Sequence, residues 1–252
     1  MLDLLKIRIE QGPQYIPDDR KAELGPRFRG LPVLNADLCG NCGDCAAVCP
    51  TGAIALDPLS IDMGKCVFCG NCSKACKANA ITFSNFHKTS STSRGFLKVK
   101  TGMTKEDYIK AAIETRKEII KIFGHSLKLR NVSAGGCNGC ELELNACSNV
   151  NFDMGRFGID IVASPRHADG IIITGPVSEN MAYALEGTFN AIPEPKIVIA
   201  VGACAISGGP FHSSSALNRE FFERHKVDLY VPGCPAHPLT IINGLLAFLA
   251  HY

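Results

Sequence analysis

In the second half of the chain the apolar positions fall in short β-branched runs: Leu127 to Val132, Ile159 to Ala163, Gly170 to Thr174, Ile197 to Val201 and Val227 to Val231. Between them lie stretches with helical spacing, over about Ser178 to Asn190, Leu217 to His225 and Leu239 to His251. Strand-length runs alternating with helices predict a parallel sheet covered on both faces, an α/β arrangement. Earlier in the chain, Thr104-Lys105-Glu106-Asp107 reads as an N-cap with an acidic residue three positions on. Tyr108, Ile109, Ala112, Ile113, Ile119, Ile120 and Phe123 follow at helical spacing, which predicts a helix ending near Gly124. Residues 1–36 show no sustained period and carry Pro13, Pro17, Pro26 and Pro32, so they read as an extended arm lying on something else.

Between arm and helix the sequence repeats itself. Cys39-Gly40-Asn41-Cys42-Gly43-Asp44-Cys45 with Cys49 is echoed by Cys66-Val67-Phe68-Cys69-Gly70-Asn71-Cys72 with Cys76, and each run leads into a short apolar stretch, at Ala53 to Leu56 and Ala80 to Phe83. The spacing C-x2-C-x2-C-x3-C is what an iron–sulfur cube requires: three thiolates from one tight loop meet three corners, and the fourth corner takes a cysteine from elsewhere. In the two-cluster pattern the fourth cysteine of each run serves the other cluster, which predicts one site of Cys39, Cys42, Cys45 and Cys76 and a second of Cys66, Cys69, Cys72 and Cys49. Structural zinc fits poorly, since its ligand pairs usually flank a longer insert. Residues 37–88 thus resemble the bacterial two-cluster ferredoxins, a small α+β domain. Pro50 follows the first run as in that family, whereas Lys77 stands where a second proline is usual.

Five cysteines remain, and their context separates them. Cys137 and Cys140 follow the strand ending at Val132, Cys204 follows the one ending at Val201, and Cys234 the one ending at Val231. Ligands of an open α/β sheet collect beyond the carboxyl ends of its strands, so these four thiols can converge as a third site. Gly135, Gly136, Gly139, Gly202 and Gly233 flank them, permitting tight turns and close approach of backbone N–H groups. Cys147, seven residues past Cys140, is expected to be an ordinary packed thiol in a helix.

Cys137-Asn138-Gly139-Cys140-Glu141-Leu142-Glu143, then Gly202-Ala203-Cys204, then Pro232-Gly233-Cys234-Pro235 resemble, in order, the small subunit of [NiFe] hydrogenases and its homologue, the 20 kDa cluster subunit of complex I. The C-x2-C at the first position resembles the hydrogenase branch, and the acidic continuation its energy-converting and formate hydrogenlyase members. The resemblance implies a flavodoxin-like domain over 126–252, joined here to the ferredoxin-like piece by a linker and helix over 89–125. Phe28-Arg29-Gly30 is similar to the lead-in of the separate ferredoxin-like partner. The resemblance further implies three [4Fe–4S] clusters in an electron-transfer subunit, the nickel–iron centre being on a separate large subunit docked over the third cluster. A further electron-input subunit and membrane-arm subunits would complete such a complex. The alternatives are a nickel-free or complex I-like quinone-reducing complex, and a free-standing carrier or redox sensor. Glu141 and Glu143 are candidates for relaying protons or holding the large subunit, although exposed carboxylates are usually just solvated. His237 is expected to serve local hydrogen bonding.

Composition narrows the remaining choices. At 252 residues, 46% of them apolar, the chain can bury a substantial core, and its formal charge of +2 gives no reason to propose nucleic acid as a partner. Asp3 and Glu10, with no apolar core between them, do not read as a secretory signal, so the 13 cysteines are expected to be reduced or metal-bound in the cytoplasm. The longest apolar candidate, Leu239 to Ala250, contains Asn243 and Gly244 and is too short to span a bilayer. The subunit would then lie on the inner face of the membrane through its partners.

Overall fold

The computed structural model describes residues 2–12, 14–113, 121–123 and 126–250. Five parallel strands form the central sheet: β6 (Leu127–Ser133), β7 (Ile159–Ile161), β8 (Gly170–Thr174), β9 (Ile197–Val201) and β10 (Leu229–Val231). They stand in the order β10-β9-β8-β6-β7. Every residue of β8 and β9 is buried, as expected of strands covered on both faces. Because β7 returns to one side of β6 while β8 starts the march to the other, the strand order reverses between β6 and β8. This is the flavodoxin-like order, whose crevice opens at that switch point beyond the carboxyl ends of the strands.

The helices follow the expected places with trimmed ends. Ser178 stands just before Glu179–Ala191 without a side-chain cap, and Pro238 begins Pro238–Phe248, where its missing N–H costs nothing. Glu220–Arg224 is shorter than its apolar pattern, because Leu217 and Asn218 bond to Ser214 and Val177 and so leave the helix. Val227 is buried by packing, not by pairing, and β10 begins only at Leu229. The Thr104 capping box opens the helix Lys105–Ala111, which closes at Ala112. The part of the longer expected helix over 114–120 lies outside the described residues, as do Gly124 and His251.

Ahead of this domain, β1 (Pro32–Leu34) pairs with β4 (Ile81–Phe83), and β2 (Ile54–Leu56) with β3 (Leu59–Asp62), all antiparallel. Two short helices, Asp44–Ala47 and Asn71–Ala75, carry the cysteine runs. A further strand, β5 (Lys98–Lys100), pairs with β3, so this unit draws on residues beyond 88, where the sequence ends it. Three residues of Lys98-Val99-Lys100 alternation are too few to register as a strand without their partner.

Two stretches read differently from the sequence. Residues 1–36 are not extended throughout, because Leu2–Gln11 is a helix. It is built from good helix formers ahead of Gly12 and Pro13, and Leu4, Leu5, Ile7 and Ile9 are all exposed, so no packed face imprints a period on the sequence. The arm beyond it lies along the body: Ile16 N–H donates to Asn151 O (2.8 Å), and buried Asp19 accepts from Arg156 Nη2 (2.7 Å). The polar stretch Thr89 to Ser93 is no solvated linker, since Thr89, Ser90 and Ser91 are buried. Ser91 exchanges backbone hydrogen bonds with Tyr230 (2.9 and 2.8 Å), its Oγ donates to Ala112 O (2.7 Å), Ser90 Oγ to Thr240 O (3.2 Å), and Tyr108 Oη to Thr89 O (2.6 Å). Each polar group is satisfied, which is what permits its burial.

Candidate iron–sulfur sites

The two cysteine runs fold alike, position for position. Asn41 and Phe68, just before the second cysteine of each run, and Gly43 and Gly70, just after it, all have left-handed backbone (φ 53°, 52°, 85° and 77°). The fourth cysteines match as well: Ala53 N–H points at Cys49 Sγ (3.3 Å) and Ala80 N–H at Cys76 Sγ (3.2 Å), each past a left-handed residue, Gly52 or Asn79. Lys77 in place of proline therefore leaves that turn intact. Phe68 N–H likewise points at Cys66 Sγ (3.3 Å). Such donors favour a thiolate and tune the potential of a bound cluster.

Cys49, Cys66, Cys69 and Cys72 line one enclosed space, so the fourth cysteine of the first run faces the three of the second. Cys39 and Cys76 both bear electrostatically on Cys45, and Cys42 stands exposed on the same loop. Burial pushes the Cys66 thiol up to about 12 and the Cys72 thiol up to about 11. These groups hold their protons as free thiols and release them only to a metal.

The other four cysteines meet at the switch-point crevice. Cys137 and Cys140 follow β6, with Cys140 in the helix Gly139–Ala146; Cys204 sits in Gly202–Ser207 after β9, and Cys234 follows β10. Cys204 and Cys234 bear on Cys140, and Cys234 and Cys137 on Cys204. Burial raises Cys140 to about 12 and Cys204 to about 11. Gly202 (φ +88°) is required for closeness: a Cβ there would lie 2.5 Å from Cys140 Sγ. Cys147 caps the helix end, fully buried, and its thiol donates to Glu143 O (3.3 Å), away from this group.

The three groups form a row. Cys45 bears on Cys72, linking the first to the second, and Cys69 bears on Cys234, linking the second to the third. Cys69 and Cys234 line one cleft with Phe28, Arg29, Phe68 and His237. His237 acts locally there: Nδ1 accepts from Leu239 N–H (3.1 Å) and the ring meets Phe28 and Phe152 edge-on. Among the described residues no three His, Cys, Asp or Glu side chains are set to hold a single metal ion. Four thiols per group, with N–H donors aimed at sulfur, are the donor set of a cube, which takes one thiolate at each of four corners.

Glu141 and Glu143, two apart on a helix, point to different sides. Glu141 is buried beside the third group, its Oε1 accepting from Ser133 Oγ (2.6 Å) and Thr174 Oγ1 (2.7 Å). Glu143 is half-buried near Cys147, and burial raises its carboxyl above the usual range. Sequence reading missed the two hydroxyls, which come from strand ends, and Arg219, and it singled out Arg29 in Phe28-Arg29-Gly30 without a contact for it. Arg219 donates to Pro176 O (3.1 Å), Cys204 O (3.2 Å), Ala205 O (2.8 Å) and Ile206 O (3.2 Å). Arg29 donates through Nε to Phe68 O. Both sets of partners are backbone carbonyls, which leave no mark in a sequence.

Comparison with known proteins agrees with this geometry. Residues 137–248 match the family described as NADH ubiquinone oxidoreductase, 20 Kd subunit, and residues 38–80 match the 4Fe-4S dicluster domain. A probable membrane-bound hydrogenase subunit, mbhJ of Pyrococcus furiosus, is 39% identical over 132 residues, covering 52% of this chain and 79% of the relative. Formate hydrogenlyase subunit 7 of Escherichia coli is 40% identical over 129 residues, 51% of each chain. An NADH-quinone oxidoreductase subunit of Heliobacterium modesticaldum is 42% identical over 118 residues, 46% of this chain and 67% of the relative. The chain belongs to this family of 20 kDa cluster subunits, shared by hydrogenases and complex I, and carries a 4Fe–4S dicluster domain ahead of the family's fold.

Proposed function

We propose that the chain relays electrons through three [4Fe–4S] clusters in a [NiFe] hydrogenase complex of the energy-converting type. The observation that carries this reading is the row of three four-cysteine groups, joined where Cys69 meets Cys234. A bound cluster supplies one-electron transfer and no other chemistry. The chain's own residues hold the thiols apart at cube corners, aim N–H groups at sulfur and keep the groups in line. The ligands would be Cys39, Cys42, Cys45 and Cys76; Cys49, Cys66, Cys69 and Cys72; and Cys137, Cys140, Cys204 and Cys234. The third group, beyond the strand ends with Cys137 and Cys234 exposed, is the end offered to a nickel–iron large subunit. Exposed Cys42 marks the opposite end, for an electron-input partner. No helix among the described residues is long and apolar enough to cross a membrane, so attachment to one would run through partner subunits.

A second reading has comparable support. The relative from an NADH-quinone oxidoreductase is as similar as the hydrogenase subunits, which favours a nickel-free, quinone-reducing complex equally well. Anaerobic purification of the tagged chain with its partners separates the two. A large subunit with two C-x2-C pairs and about one nickel per complex is expected for the hydrogenase. A nickel-free partner without those pairs establishes the alternative.

Glu141 is the stronger candidate for proton relay or docking, since it is buried against the third group. Glu141→Gln keeps an oxygen for Ser133 and Thr174 but removes the exchangeable proton, so turnover of the assembled complex should fall with an altered pH profile. Glu143→Gln should change little. Unchanged turnover and pH profile in both variants would end the relay idea.

A further inference from the structure

The third group has an unbalanced positive charge built against it. The guanidinium of Arg219 is half-buried, wrapped around the end of the helix that carries Cys204, with four hydrogen bonds to carbonyl oxygens and its plane over the Phe222 ring (4.4 Å). Two other arginines tied into the body have carboxylate partners: Arg94 is bidentate to Asp62 (2.8 and 2.8 Å) and Arg156 pairs with Asp19 (2.7 Å); Arg29 makes a single bond to Phe68 O. Among the described residues Arg219 has no such carboxylate, and the group that attracts it electrostatically is Cys204. A charge taken out of water without a counter-ion is costly, and carbonyl dipoles offset only part of that cost.

We propose that Arg219 is the fixed counter-charge of the third cluster and holds its midpoint potential above the value the four thiolates alone would set. The inference rests on reading Cys137, Cys140, Cys204 and Cys234 as the ligands of a cube. A [4Fe–4S] core carries less positive charge than its four thiolates carry negative, so the bound assembly is an anion, and reduction adds to that charge. A nearby cation stabilises the reduced form more than the oxidised one. The four carbonyl bonds keep the guanidinium in place in both states, so the charge acts without rearrangement. Arg219 acts on the cluster through the field and through the Cys204 helix, and is a positioning residue.

The test is a redox titration of the purified complex followed by low-temperature electron paramagnetic resonance, with iron counted per chain. Wild type should show three cubes and about 12 irons. Arg219→Gln should move the midpoint of the third cluster downward and leave the two ferredoxin-type clusters in place, and Arg219→Lys should restore most of the shift. Phe222→Glu leaves Arg219 on its carbonyls and sets a carboxylate against it, so it should also lower the third midpoint; it decides the matter if Arg219→Gln fails to retain the cluster. An unmoved third midpoint in variants that keep their iron would overturn the proposal, and so would loss of the third cluster in both Arg219→Gln and Phe222→Glu, which assigns the arginine a role in folding alone. A wild-type complex with only two clusters would instead refute the reading of the third site, whatever the variants show.

Discussion

Cys204→Ser is expected to reduce bound iron from about 12 to about 8 per chain, because one lost thiolate opens a corner of the third cube while the other two keep all their ligands. Cys147→Ser should leave about 12, since that thiol donates to the backbone oxygens of Glu143 and Pro238 at the end of its helix. Both residues come from the same domain, and Cys147 is the more deeply buried, so simple damage to packing would hurt the Cys147 variant at least as much. Iron analysis of the two proteins, purified anaerobically, separates ligand from core residue. Equal losses would overturn the assignment.

Gly202→Ala should produce the same loss by a route that replaces no ligand. The alanine methyl would sit 2.5 Å from Cys140 Sγ, on backbone at φ +88° that an L-residue rarely adopts. The sulfur must move, and a cube tolerates little movement at a corner. Gly187→Ala is the matched comparison, lying in the helix Glu179–Ala191 with open space around its Cβ position. It should keep all its iron and gain up to about 1 kcal/mol in helix stability. Retention of the third signal in Gly202→Ala would mean that Cys140 is not a ligand.

Much of the fold was legible because it rests on local pattern. Ile171-Ile172-Ile173 and Val198-Ile199-Ala200 announce strands buried on both faces, and the glycines and cysteines beyond them mark the strand ends where the sheet gathers its ligands. The duplication was legible too, and the structure adds left-handed positions that recur at the same offset in both runs. What stayed hidden depends on distant partners. Thr89, Ser90 and Ser91 look like solvent-facing polar residues until Thr240, Ala112 and Tyr230 supply their hydrogen bonds. Glu141 looks like a surface acid until Ser133 and Thr174 close over it. Arg219 sits in a stretch whose apolar residues suggest a plain amphipathic helix, and nothing there hints that it reaches back to Cys204, Ala205 and Ile206. The Leu2–Gln11 helix escaped for the opposite reason, having no packed face at all.

The buried segment at Thr89–Ser91 ties the two halves of the molecule together. Ser90 lies so close to Gly244 that a methyl group there would come within 2.4 Å of its hydroxyl oxygen, and Ser91 is stitched to Tyr230, four residues before Cys234. These contacts join the two halves along one seam. Tunnelling falls off steeply with distance, so with clusters at the second and third groups this seam would fix the gap between Cys69 and Cys234, and gating of the current would act where other proteins attach.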